Sequence, residues 1–249
     1  MGLVIRLLGP TEVSFGDAVV RSSALPGPIG RHLLTRLAVD PFPIGRDRLI
    51  DDLWDGRPPR AVESVLNATL SRLRSSLGAL GLDVRELITS SAGVVNINRP
   101  SGTLVDVELA NQRIDLASRD VRNGELNDAA RHAMVAYSIS RRPLLPGIER
   151  EWLDVERDRI LHVERRSLGV LVEAASRSGR FDEAVHLGRE HVRIAPFDEL
   201  AHRDLLSALA QLGDRSGALE VGKSFTTRLE SELGVEPSAD FLEAMASLG

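Results

Sequence analysis

The chain contains no cysteine, which excludes disulfide frameworks, thiolate metal sites and cysteine nucleophiles, and removes any need for an oxidising compartment. It has no run of 18 apolar residues, and Met1-Gly2-Leu3-Val4-Ile5-Arg6 is not a basic region followed by a long apolar stretch. Neither export nor a membrane span is expected, and the expected location is the cytoplasm. Lysine is almost missing: Lys223 is the sole lysine among 31 basic residues, a bias that fits a GC-rich coding sequence better than any functional demand. What is present is 249 residues, 43% hydrophobic and 27% charged, enough apolar surface for one or two globular domains.

Charge is unevenly spread. Through residue 104, 12 arginines face 10 carboxylates, a balance of +2; the remainder has 19 basic against 26 acidic residues, a balance of −7. Only the first part is suited to approach a polyanion.

Residues 3–25 read as short strands around turns at Gly9-Pro10 and Gly16-Asp17. After Pro26-Gly27-Pro28 the spacing turns helical, with Ile29, Leu33, Leu34 and Leu37 on one face, and Pro41-Phe42-Pro43 ends that helix. A second helix is expected from about Arg46 to Trp54, and a third from about Arg60 to Leu77 with Val62, Leu66, Leu70, Leu73 and Leu77 as its inward stripe. Residues 87–97 read as two strands around a small-residue turn. Strands, three helices and a terminal hairpin describe a winged helix over residues 1–104.

From Val105 onward the pattern is helical, so residues 105–249 are expected to form an all-α domain and the chain to be mainly α overall. Gly179-Arg180-Phe181-Asp182-Glu183-Ala184 and Gly213-Asp214-Arg215-Ser216-Gly217-Ala218 begin 34 residues apart, the tetratricopeptide period of one helix pair. Small Ala184 and Ala218 let helices approach closely, and Leu171, Leu187, Leu205, Leu209 and Val221 supply a buried stripe. Helices are expected at about 107–120, 125–140, 150–177, 181–194, 198–212, 215–232 and 238–247.

Catalytic patterns are weak. His186 and His191 are five apart, which places them about 140° apart on a helix instead of on one face, and no His-Glu-x-x-His motif occurs. There is no P-loop, dinucleotide fingerprint or nucleophile elbow. No enzyme activity, metal or cofactor is expected. The third helix is the informative element, because a helix enters the major groove only when its outer face is polar and its inner face anchored. On it Ser64 suits a phosphate or base, Ala68 and Thr69 a thymine methyl, Arg72 a bidentate contact to guanine and Arg74 a phosphate, with Ser71 on the same outward face. The same pattern also fits an amphipathic helix whose arginines only solvate it.

Leu7-Leu8-Gly9-Pro10-Thr11-Glu12-Val13, Arg48-Leu49-Ile50-Asp51-Asp52-Leu53-Trp54 and Ser71-Arg72-Leu73-Arg74-Ser75-Ser76-Leu77-Gly78 resemble the OmpR-type winged helix of the SARP (Streptomyces antibiotic regulatory protein) family. Leu145-Pro146-Gly147 leading to Glu151-Trp152, the tetratricopeptide-like segment, and Glu232-Leu233-Gly234-Val235-Glu236-Pro237-Ser238 resemble that family's bacterial transcriptional activator domain. The resemblance implies an activator that binds double-stranded DNA at direct repeats, works as a homodimer and recruits RNA polymerase. It also implies a wing around Ser90 to Gly93 that reaches a minor groove, with Thr89 and Ser90 contacting DNA, and a polymerase-contacting loop over Asp40 to Gly45 carrying Asp40, Phe42 and Ile44. The helical domain is the expected seat of a protein or small-molecule effector. The chain departs from the family at Ser90, where an arginine is common, at Val94, where an aromatic is common, and at Ser75, often basic, while Glu63 adds a negative charge. Weak DNA binding by a monomer is therefore expected, and the alternative is an interaction or ligand-sensing module with a degenerate winged helix.

Overall fold

The computed structural model describes residues 2–248. Two compact units emerge: the first joins the residues up to Ala110 with Ile139–Leu161, and the second joins Asn111–Ser138 with the residues from His162 onward.

The first unit begins with strands β1 (Leu3–Arg6), β2 (Glu12–Phe15) and β3 (Ala18–Arg21). β1 and β2 pair antiparallel, as do β2 and β3, forming the expected meander. Helices α1 (Gly27–Val39), α2 (Arg46–Trp54) and α3 (Val62–Leu77) follow, with a two-residue strand β4 (Ile44–Gly45) ahead of α2. Pro28 lies in the first turn of α1, where its missing N–H costs nothing. After one helical turn, α4 (Val84–Leu87), the hairpin of β5 (Ile88–Ser91) and β6 (Val94–Ile97) pairs antiparallel, and β4 adds to its edge. Ala92 (φ 51°) and Gly93 (φ 76°) make the hairpin turn with both central residues left-handed, the geometry that follows a strand's own twist.

The helical pattern begins at residue 105, but compactness divides the chain elsewhere, for a physical reason. Val105 lies in β7 (Leu104–Val105), which pairs in parallel with β1 and completes the sheet order β3-β2-β1-β7. Asp106, the first residue of α5 (Asp106–Asn123), accepts the backbone N–H groups of Leu7 (2.9 Å) and Leu8 (2.9 Å). Leu8 then bridges to Leu144, and the Gly9 N–H donates to the Pro143 carbonyl (2.9 Å). Leu144, Leu145, Trp152, Leu153 and Ile160 share one core with Leu33, Leu49, Leu70 and Ile88. The stretch from 139 to 161, which contains the end of α6 (Leu126–Ser140) and the start of α7 (Glu151–Arg177), is thus part of the winged-helix core.

Its key polar side chain is Trp152, whose indole N–H reaches the His32 Nε2 (3.0 Å) and the Asp52 carbonyl (3.0 Å). The His32 ring stacks on the indole at 5.2 Å, and the Arg36 guanidinium lies 5.3 Å from the indole centre. Arg36 also pairs with the buried Asp52 carboxylate (2.6 Å). Burial, reinforced by the Arg150 charge, pushes the His32 pKa down to about 4, so His32 is neutral and its Nε2 is free to accept.

Among the described residues the second unit is built from helices: α5 and α6 in their remaining parts, the rest of α7, then α8 (Phe181–Ile194), α9 (Glu199–Leu212), α10 (Arg215–Arg228) and α11 (Ala239–Ala246). The 34-residue offset superposes the start of α8 on that of α10. Asp214 and Ser238 cap α10 and α11 by accepting the N–H of the third residue on, Gly217 (2.9 Å) and Phe241 (3.3 Å). A Cβ added at Gly188 of α8 would lie 3.1 Å from Leu205 Cδ1 of α9, and one at Gly222 of α10 would lie 1.7 Å from Met245 Sδ of α11. His202 stacks on Phe225 with ring centres 4.0 Å apart, and Phe225 meets Phe241 at a tilt of 55° with centres 4.9 Å apart.

Candidate nucleic-acid interface

Helix α3 buries Leu66, Thr69, Leu70, Leu73 and Leu77. One hundred degrees per residue then turns Glu63, Ser64, Asn67, Ala68, Ser71 and Arg72 to solvent, and all six are exposed. Four of the side chains selected from the sequence, Ser64, Ala68, Ser71 and Arg72, therefore share an accessible face. Thr69 does not. It lies three residues after Leu66 and four before Leu73, on the buried stripe, and its hydroxyl donates to the Val65 carbonyl (2.8 Å). It is a core residue that satisfies its own polar group, and it has no free surface for a thymine methyl.

Arg74 is half-buried, and its Nε donates to the Ile88 carbonyl (2.9 Å). It acts first as a strut between the last turns of α3 and β5. A cleft of about 580 Å³ between α3, α4 and the hairpin brings Ser71, Arg74, Thr89 and Ser90 together, with Arg85 on its rim.

Arg46, the first residue of α2, was not singled out by sequence reasoning. Its guanidinium touches three side chains on two elements: the Ser90 hydroxyl of β5 (2.8 Å), and the Glu63 carboxylate (2.6 Å) and the Asn67 side-chain oxygen (2.8 Å) of α3. The Arg46 backbone N–H also donates to Gly93 at the hairpin turn (2.9 Å). The negative charge of Glu63 is thus matched within the protein. Asn67, held through its oxygen, keeps its NH₂ donors for another acceptor.

Four more exposed arginines frame this face: Arg57 and Arg60 in the loop before α3, Arg72 on it, and Arg85 in α4. Arginines such as Arg36 and Arg46 are held by carboxylates, whereas among the described residues none of these four makes an ion pair. The Arg57-Pro58-Pro59-Arg60 segment just ahead of α3 could have pointed to two of them. Missing carboxylate partners cannot be read from a sequence. The hairpin strands themselves, residues 88–97, contain no basic residue.

The loop after α1 is pinned at its base. Asp40 pairs with Arg36 (3.2 Å) and accepts the Phe42 N–H (3.1 Å), while Arg99 donates to the Ala38 carbonyl. Phe42 is 72% exposed, far more than an aromatic ring that packs in a core. Ile44 differs from the expectation. It pairs with Val95 in β4 and is buried, because a strand that closes the hairpin sheet turns this side chain into the core. The exposed tip is therefore Pro41 to Pro43, with Asp40 half-buried at its base.

Among the described residues no group of three histidine, aspartate or glutamate side chains is placed to hold a metal ion, and no helix is long and apolar enough to cross a membrane.

Comparison with known proteins bears on the family and the fold. Residues 105–248 match the family model described as the bacterial transcriptional activator domain. The chain is similar to the transcriptional regulatory protein EmbR of Mycobacterium tuberculosis, 26% identical over 238 residues, covering 93% of this chain and 59% of EmbR. It is also similar to the transcriptional regulatory protein MoaR1 of the same organism, 24% identical over 244 residues, covering 94% of this chain and 75% of MoaR1. A solved structure of Mycobacterium tuberculosis EmbR in complex with a low-affinity phosphopeptide superposes with a TM-score of 0.89 at 22% identity, covering 99% of this chain and 64% of that one. The chain thus spans about three-fifths of the length of EmbR, and the superposition bears out the fold expected from the sequence, a small N-terminal β region with helices followed by a helical array.

Proposed function

The chain belongs to the bacterial transcriptional activator domain family, and from that premise we propose that it is a sequence-specific, DNA-binding transcriptional regulator of the SARP type. Helix α3 enters the major groove, with Ser64, Asn67, Ala68, Ser71 and Arg72 toward base edges, while Arg57, Arg60 and Arg85 hold phosphates on either side. The observation that carries this reading is the set of four exposed arginines without carboxylate partners, placed before, on and after a helix whose outer face is otherwise small and polar. Among the described residues no carboxylate forms an ion pair with these cations, and phosphates are partners they fit. Arg74 keeps a phosphate within reach by its outer nitrogens, and Thr89 and Ser90 of the hairpin line the same cleft.

In this proposal two protomers bind direct repeats, and the exposed Phe42 with Asp40 meets RNA polymerase, so that binding activates transcription in the cytoplasm. A protein or small-molecule effector acts on the helical unit. The deciding experiment selects genomic fragments on the purified chain at about 50 and 200 mM salt, with Arg72→Ala in parallel. Enrichment of a direct repeat, with half-sites about one helical turn apart, is expected. Arg72→Ala should lose roughly 1–3 kcal/mol of discrimination at one base pair; equal losses on specific and random DNA would remove Arg72 from base reading. The hairpin without a basic residue favours a second reading, an interaction or ligand-sensing module that has given up DNA. Failure to enrich any fragment at low salt would select it.

A further inference from the structure

A cleft of about 830 Å³ lies within the first unit, between the Gly9-Pro10-Thr11 turn, the Ser22-Ser23 turn, the start of α1 and the loop over residues 142–148. Its size falls in the range of small-molecule sites. Four prolines, Pro10, Pro28, Pro143 and Pro146, form its walls together with Leu145 and Ile148. Proline fixes its own backbone, so these walls are formed before any ligand arrives. Leu145 adds a further sign of constraint: it sits at φ 43°, a left-handed conformation that a leucine rarely adopts and that tends to cluster at ligand clamps.

The polar lining has one sign. Arg31 from the first turns of α1 and Arg142 from the loop contribute cations, Ser22, Ser23 and Thr11 contribute hydroxyls, and no aspartate or glutamate takes part. Neither arginine makes an ion pair among the described residues, although the chain holds 36 carboxylates. Asp106 acts on Arg142 through space, but its carboxylate is half-buried and already accepts the N–H groups of Leu7, Leu8 and Val107. An apolar, rigid cleft with two unpaired guanidinium groups complements a ligand that joins an apolar body to an anionic group.

We infer that this cleft binds a small organic anion, with its apolar body against the prolines, Leu145 and Ile148 and its anionic group on Arg31 and Arg142. No residue of α3 or of the hairpin lines it, so the inference stands apart from DNA binding. A ligand there would touch the β1–β2 turn, α1 and the 142–148 loop together, and would tighten the union of the winged helix with the returning segment.

The test is a fluorescence titration of the full chain with 1-anilinonaphthalene-8-sulfonate and with N-phenyl-1-naphthylamine, the same skeleton without the sulfonate. One saturable site is expected, about tenfold or more tighter for the anion. The double variant Arg31→Gln/Arg142→Gln should erase that preference while the neutral probe binds as before. Ile148→Trp, which fills the cleft without changing charge, should weaken both probes and keeps the test decisive if the double variant does not fold. Equal affinity of the two probes for the native chain, an unchanged preference in the double variant, or unchanged binding to Ile148→Trp would each overturn the inference. Displacement of the sulfonate by phenyl phosphate or by benzoate then identifies a phosphate or a carboxylate as the favoured group; displacement by neither counts against the site.

Discussion

In the first unit the decisive polar contacts span great sequence distances: the Trp152 indole reaches His32 across 120 residues and the Asp52 carbonyl across 100. In the second, Asp198 and Asp214 cap their helices within three residues, the Ser238 cap is itself held by Glu199 at a separation of 39 residues, and close approach is set by glycines such as Gly188 and Gly222 facing the neighbouring helix. The difference teaches where periodicity suffices. A helical array repeats a local solution, whereas the winged helix is completed by a segment that no local pattern assigns to it.

The sharpest way to break this contrast is Trp152→Ala, which removes the shared indole and leaves the His32 and Asp52 acceptors without their donor. A loss of about 3–5 kcal/mol is expected. Since Trp54 and Trp152 both belong to the first unit, Trp54 fluorescence in urea reports that unit alone. A loss confined to the second unit's helical signal would contradict the assignment of Trp152.

Acidification should separate the two units next. The folded pKa of His32, about 4, lies below its ordinary value of 6.5. The unfolded chain therefore takes up the proton first, and the stability His32 contributes is complete above pH 6.5 and is lost as pH falls to 4, roughly 3 kcal/mol in all. Asp204 in the second unit works in the opposite sense: burial raises its pKa to about 6, so protonation between pH 6 and 4 favours the folded state. Urea midpoints from tryptophan fluorescence at pH 7 and pH 4 should show the drop, and His32→Gln should flatten it.

Two smaller effects belong to the second unit. Gly222→Ala should cost about 1–3 kcal/mol, although the same change in an open helix gains up to about 1 kcal/mol, because the new methyl meets Met245. A gain in thermal stability would show that the Met245 side chain moves aside for the new methyl. Asp214→Ala should cost about 1 kcal/mol through the lost cap, with the melting of the first unit unchanged.

The α3 stripe of Leu66, Leu70, Leu73 and Leu77 was legible because it repeats at helical spacing, and the two glycines 34 residues apart located α8 and α10. The exposed Ser64, Ala68, Ser71 and Arg72 followed from the same geometry. Thr69 was not legible, since a threonine on a buried stripe looks polar in sequence and its bond to the Val65 carbonyl is seen only in the folded helix. Ile44 was hidden by a two-residue strand, too short to alternate. The Arg46 contacts to Glu63, Asn67 and Ser90 join three elements, and the return of residues 139–161 joins two helices to a distant core. Neither leaves a period in the sequence.

That return also sets an order of events during synthesis. The sheet of the first unit lacks β7 until Val105 has been made, and its core lacks Trp152 and Ile160 until some 55 residues more have followed. At roughly 5–20 residues per second the ribosome takes about 3–11 s to supply them. The winged helix, first to be translated, must therefore wait with β1 open at one edge and Leu33 and Leu49 incompletely covered. Slower translation over residues 105–161 would lengthen that exposure.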